Sequence, residues 1–367
     1  MKTARWRIAL LAACLTACGG GDTAGPDEPR PPAESECVID RALFDEGGVG
    51  RDQIPALTDP RFVPAGNDEA SYLLPTDRVV GLVVEGRALA IPHNILWWHE
   101  IVNLNLPGLQ VAVTYCPLTG SAIAFDRAAV DGAEFGVSGL LFQNNLIMFD
   151  RSGLETLWPQ MLGLGACGLR KGLVLPRVPV TEMTWQAWLG RHPNTEVVSG
   201  ETGFSRDYTR YPYGEYERLD EPPFIPGHRD PRRPPKERVL GVAGPQGDAL
   251  AFPFLALDAL GPVGAVNETV DGAPVLAVWD RAGASALAFS RRPVSDVALP
   301  GSDPGVLTFR VEDGRLVDDQ TGTIWDVDGR PISGELVGWR LPQLDNAFVA
   351  FWFAWSSFHR DTRLWTN

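Results

Sequence analysis

Soft and titratable side chains are sparse in this chain, with five cysteines, five histidines and four methionines among 367 residues. Three of them, His99, Cys116 and Met148, could form one site. Thiolate, imidazole and thioether together select copper or another soft metal over hard cations, and His93 is a candidate fourth ligand. The same cysteine supports a second chemistry, with Cys116 as nucleophile, His99 as general base and Asn103 or Glu100 orienting the ring. A third reading assigns no reaction. Cys116 is then a buried small hydrophobe and His99 a satisfied core histidine in a binding or scaffold protein. This reading leads, because the soft residues are scattered and methionine most often fills cores.

The elements that must position these residues are mostly β. Residues 79–84 and 87–91 flank a Gly-containing turn, residues 109–115 and 121–125 flank a Pro-containing one, and 135–150 carries alternating and continuous apolar runs. Cys116 ends the third of these runs and Pro117 follows it, so the thiol sits where a sheet opens into a turn. Residues 93–102 suggest a short helix, which would place Asn103 one turn beyond His99. Residues 181–189 suggest another, opened by a Thr cap and carrying Trp185 and Trp188 on one face.

Self-similarity organises the chain. Residues 103–127 align without a gap on 267–291, pairing Gly108 with Gly272, Ser121 with Ser285 and Phe125 with Phe289. Trp158, Gly168, Gly172 and Pro176 fall opposite Trp325, Gly334, Gly338 and Pro342, and Trp185, Trp188, His192 and Thr195 opposite Trp352, Trp355, His359 and Thr362. Two similar α+β domains from an internal duplication, mostly antiparallel β, are expected over 43–199 and 221–366, joined by a Tyr- and Arg-rich linker at 200–220. Side chains shared by both halves then serve the common fold, which makes His192 structural. Reactive side chains found in one half alone are the functional candidates. Cys116 falls opposite Asp280 and Met148 opposite Val317, while the segment matching the His99 helix holds no histidine.

Charge limits the partners. A formal charge of −14 with only three lysines, Lys2, Lys171 and Lys236, leaves no basic tract to follow a phosphate backbone, so nucleic acid is not expected. No run of 18 apolar residues exists to span a bilayer. Attachment would instead be covalent. Lys2, Arg5 and Arg7 precede a short apolar run ending in Leu15-Thr16-Ala17-Cys18, a lipoprotein signal over 1–17 with Cys18 as the acylated residue. Residues 18–42, rich in Gly, Pro and acid, read as a disordered tether. Gly19 after the anchor cysteine favours the outer membrane, facing the periplasm, in a Gram-negative cell.

The chain resembles the bacterial family called domain of unknown function 3179. Gly47-Gly48-Val49-Gly50-Arg51-Asp52-Gln53-Ile54-Pro55 matches its opening signature, His99-Glu100-Ile101-Val102-Asn103 its short helix, and Thr114-Tyr115-Cys116-Pro117-Leu118-Thr119-Gly120-Ser121 its cysteine turn. Phe135 to Leu140, Met148 to Arg151, Tyr208 to Tyr216 and the closing Phe353-Ala354-Trp355 also fit, so the resemblance covers about 43–366. It implies no activity. Many members of the family carry a second cysteine where this chain has Thr119, which argues against a dithiol cycle within the turn. Cys37 and Cys167 lie outside the resembling stretches and are expected to pair, leaving Cys116 as the free thiol. Asp52 is either a site residue or a turn cap. Five tryptophans without counterparts, Trp97, Trp98, Trp279, Trp339 and Trp365, are candidate stacking platforms for a glycan or other small molecule. The linker tyrosines would either cover such a pocket or pack between the halves.

Overall fold

A computed structural model describes residues 37–153, 155–295 and 303–367, so the signal segment and Cys18 lie outside the described residues. All of these residues fall in one compact unit. No helix among them is long and apolar enough to cross a membrane. The fold is mostly antiparallel β. In the first half, strands Arg78–Val84 and Arg87–Pro92 pair in a sheet flanked by Thr181–Thr184 on one side and, on the other, by the parallel strand Glu196–Val198 and then Phe62–Pro64. A second sheet runs through Ile101–Leu106, Leu109–Cys116 and Ser121–Asp126, and a third carries the hairpin Phe135–Phe142 and Asn145–Asp150.

The second half places its elements in the same order. Arg238–Ala243 and Ala249–Pro253 pair between Ala347–Phe351 and the parallel strand Arg363–Leu364. Val263–Val270, Ala273–Asp280 and Ser285–Ser290 form the next sheet. Contacts match as well as order. Gly81 leaves space for the Trp188 ring and Gly241 for Trp355; an added Cβ would come within 2.2 Å of either ring. Trp188 Nε1 donates to Thr195 Oγ1 at 2.8 Å and Trp355 Nε1 to Thr362 Oγ1 at 2.9 Å. Trp158 and Trp325 donate to the buried carboxylates of Asp150 and Asp318. Trp185 and Trp352 are both buried.

That match shifts one alignment. Met148 pairs in register with Trp158, and the residue opposite Trp325 is Leu316, so Leu316 rather than Val317 is the structural counterpart of Met148.

Each half completes the other. The Phe351 N–H, at the entry to the helix Trp352–Phe358, donates to the Thr119 carbonyl in the first-half turn at 2.8 Å. Reciprocally, the Thr184 N–H, at the entry to the helix Trp185–Arg191, donates to the Gly283 carbonyl in the second-half turn at 2.9 Å. One apolar cluster accordingly joins Cys116, Phe125, Met148 and Trp158 to Val239, Phe351 and Trp355.

Both expected helices are trimmed. The first is His93–His99, ending where Glu100 turns to φ +56° and β-branched Ile101 and Val102 enter a strand. Asn103 therefore lies on that strand and not one helical turn past His99. The second starts only at Trp185, because Thr181–Thr184 pairs with Arg78–Val84 and Thr184 becomes the cap, its Oγ1 accepting from the Ala187 N–H.

Candidate functional site

Cys116 is the last residue of its strand, paired with Ser121 across the turn. Its Sγ accepts from the Leu146 N–H at 3.3 Å and lies 3.7 Å from the Asn144 carbonyl, so the thiol ties the turn to the neighbouring hairpin. Burial pushes its pKa up to about 11, with the nearby Glu100 adding to the rise, and the resting group is a protonated thiol. Gly120 (φ +60°) closes the turn where any side chain would strike the Phe351 ring, 2.8 Å from an added Cβ. Thr119, at the position of the absent second cysteine, joins a buried polar network: its hydroxyl meets Ser121 Oγ and accepts from Asn145, while Gln160 binds Ser121, Asn145 and Thr114.

The other sequence candidates are held elsewhere. His99 uses both ring nitrogens, one 2.7 Å from the Pro55 carbonyl and one 2.7 Å from the Tyr208 hydroxyl, so neither is left for a thiol proton or a metal. Burial lowers its pKa to about 4, which keeps it neutral. Asn103 clamps the backbone of Phe135, donating to its carbonyl at 3.0 Å and accepting from its N–H at 2.9 Å; Asn267 holds Phe309 in the same way. His93 packs its ring on Tyr115 and is driven well below the usual imidazole range by burial, with Arg78 and Arg238 adding to the shift. Met148 shares the apolar core with Cys116. Among the described residues, no group of three or more His, Cys, Asp or Glu side chains converges as a metal site.

What does gather near Cys116 is a cavity of about 280 Å³. The opening arm gives Gly47, Val49 and Ile54; the hairpin gives Val137, Leu141 and Leu146; the linker gives Tyr213 and Tyr216. Glu100 brings the only carboxylate to this lining. The side chain is buried and stands on a positive-φ backbone conformation, φ +56° and ψ −30°, that a glutamate rarely adopts. Desolvation raises its pKa to about 8, so at neutral pH it is mostly a carboxylic acid able to donate one hydrogen bond.

Behind Tyr216 lies Lys236 from the second half. Its Nζ sits 3.1 Å from the Tyr216 ring centroid and 4.6 Å from that of Phe353, with no hydrogen-bond partner. Burial lowers its pKa to about 7, against the pull of Cys116 and Glu217. Sequence reasoning named Glu100 only as a helper to His99, placed the linker tyrosines over a pocket beside Trp97 and Trp98 instead of this one, and missed Lys236. The scarcity of lysine, and one lysine set between Pro235 and Glu237, was the available signal.

The remaining expectations resolve around this cavity. Cys37 and Cys167 form a disulfide, and Cys116 is the free cysteine among the described residues. Asp52 forks onto Arg151 at 2.5 and 2.9 Å and takes a backbone bond from its own N–H to the Val137 carbonyl, which pins the opening arm beside the hairpin. Trp279 is buried, and Trp97, Trp98, Trp339 and Trp365 are half-buried. Trp97 packs edge-on to Tyr211, and Trp98 lies under Arg206. In the linker, Tyr208 holds His99, while Tyr216 bonds the Leu118 carbonyl, lines the cavity and carries Lys236 of the second half on its ring.

Compared with known proteins, the chain matches the family described as Protein of unknown function (DUF3179) over residues 51–362. No curated protein and no solved structure matches it.

Proposed function

The chain belongs to the DUF3179 family, and we propose that it is an exported, lipid-anchored binding protein that holds a small, mainly apolar molecule in the cavity beside Cys116. One observation carries this reading: Glu100 is a desolvated carboxyl, 7% exposed, set on a rarely used backbone conformation in an otherwise apolar and tyrosine lining. A carboxyl largely withdrawn from water beside apolar walls is suited to a polar group that arrives with a ligand. The protonated acid donates to a carbonyl, ether or hydroxyl oxygen on the ligand, and the apolar walls take the remainder.

The lipobox ending at Cys18 supports export and anchoring, with the outer membrane favoured by Gly19. The matched tryptophan, glycine and asparagine contacts support descent of the two halves from one duplicated unit. Neither the copper reading nor the Cys116–His99 reading gains a comparable observation, since His99 spends both ring nitrogens on Pro55 and Tyr208.

Equilibrium dialysis with 2-naphthol, an apolar bicycle bearing one hydroxyl, tests the pocket. Wild type and Ile54→Trp, which fills the cavity, are compared in the same detergent so that the micelle contribution cancels. Wild type should retain about one additional naphthol per chain, in line with a single enclosed site. Equal retention by the two proteins sinks the proposal.

A further inference from the structure

The disulfide end of the first half carries an apolar surface that the cavity does not use. Val38, Leu169, Leu173 and Val174 are 53%, 68%, 39% and 61% exposed. Backbone bonds bring the segments that carry them together around the Cys37–Cys167 staple. The Val38 N–H donates to the Ala166 carbonyl, the Gly165 N–H to the Leu173 carbonyl, and Leu164 bridges Val174. Exposed large apolar side chains gathered at one place, as opposed to scattered singly, mark an interaction surface.

Two features identify what covers it. The first is position along the chain: Cys37 follows Cys18 by nineteen positions, a span of at most roughly 65 Å when fully extended. The staple thus begins the described structure at the point the anchor reaches first. The second is local charge. In a chain of net charge −14, residues 156–181 contain no Asp or Glu, so the segment carrying Leu169, Leu173 and Val174 adds no carboxylate to be repelled by phosphate headgroups, and the exposed Lys171 lies within it. Arg170 and Arg177 are turned to the protein, on Asp131 and the Met161 carbonyl. Exposed aliphatic side chains without neighbouring acids in their segment suit the boundary between acyl chains and headgroups.

We propose that the stapled end of the first half rests on the surface of a lipid bilayer, with Val38, Leu169, Leu173 and Val174 entering its interfacial layer. This inference relies on Cys18 being the lipid anchor. Contact at the staple fixes the orientation of the molecule on the membrane; the anchor alone fixes only its distance.

The test uses the full, anchored chain reconstituted in vesicles of phosphatidylethanolamine and phosphatidylglycerol. Leu169→Cys is labelled with an environment-sensitive nitrobenzoxadiazole, and Leu255→Cys, exposed in the second half, is the control. Cys116 is buried and Cys37 and Cys167 are paired, so the engineered thiol takes the label. Emission from position 169 should shift to the blue and fall at least about twofold when nitroxide-headgroup lipids are included, while position 255 changes little. Protein that floats with the vesicles without quenching at 169 overturns the surface and leaves the anchor standing. A blue shift without lipid quenching means that a second copy covers the patch, which also overturns it. Failure to float at all removes the anchor reading on which the surface depends.

Discussion

The two halves place nearly the same contacts around two different turns. In the second half the strand runs back to Val263, and Gly264 sits opposite Trp279; the first-half strand begins at Ile101, and Glu100 occupies the matching place beside Tyr115. Where Cys116 faces the hairpin of its own half, Asp280 faces the other half in an ion pair with Arg191 at 2.5 Å. Both turns thus hold the halves together, and the first-half turn also borders a cavity through Leu118. The difference lies in a few side chains, and substitutions can probe each of them.

The largest expected effect comes from the staple, which only the first half carries. Replacing Cys37 and Cys167 with Ala releases a loop spanning 130 positions and should cost about 5 kcal/mol by the loop-entropy account, read as a lower urea midpoint. A loss under about 1 kcal/mol would mean that the arm is held by the Asp52–Arg151 fork and its backbone bonds instead.

Next are the matched glycines. Gly81→Ala and Gly241→Ala each force a methyl group against a tryptophan ring and should each cost about 3 kcal/mol. Equivalence is the point: if one substitution is tolerated and the other unfolds the protein, the contacts of the halves are not equivalent in energy.

Glu100 breaks the comparison in a pH-dependent way. Unfolded, its carboxyl titrates near 4.5; folded, it titrates at about 8. Between those values the native state keeps a proton that the unfolded state has lost, so this group lowers stability as pH rises from about 5 to about 8. Glu100→Gln removes that dependence and should gain on the wild type at pH 8, with a much smaller difference at pH 5. Parallel denaturation curves at the two pH values would contradict the assignment. Gly264, its counterpart, has nothing to titrate.

The smallest effect on the protein is the most specific to Cys116. With its pKa at about 11, the native thiol should react with a disulfide reagent about a hundredfold more slowly than an ordinary cysteine, before any steric protection. One thiol per chain should appear on denaturation. Rapid native reaction would require an open path from solvent to Sγ.

Much of this was legible in the sequence because the signals were local or repeated. Pro117 after an apolar run marked the end of the Cys116 strand, and tryptophans recurring at constant spacing exposed the paired halves. The partners of His99 were not legible, since Pro55 and Tyr208 lie 44 and 109 positions away. Nor was the role of Glu100: a positive φ at a glutamate has no propensity signal, and the residue reads as one more helical position until Tyr115 is seen to bond its carbonyl. Lys236 joins the first-half site only through the packing of the halves.

The reciprocal docking of the turns also sets an order of events during synthesis. A ribosome that has finished residue 199 has made the first half, yet the helix beginning at Trp185 still lacks the Gly283 carbonyl and the turn at Thr119 still lacks Phe351. The largest apolar cluster stays open until the last strands emerge. Contacts that close over more than two hundred positions make for slow folding and a long interval of exposed core. A version truncated after the linker would leave that cluster exposed and is expected to aggregate instead of standing as a domain of its own.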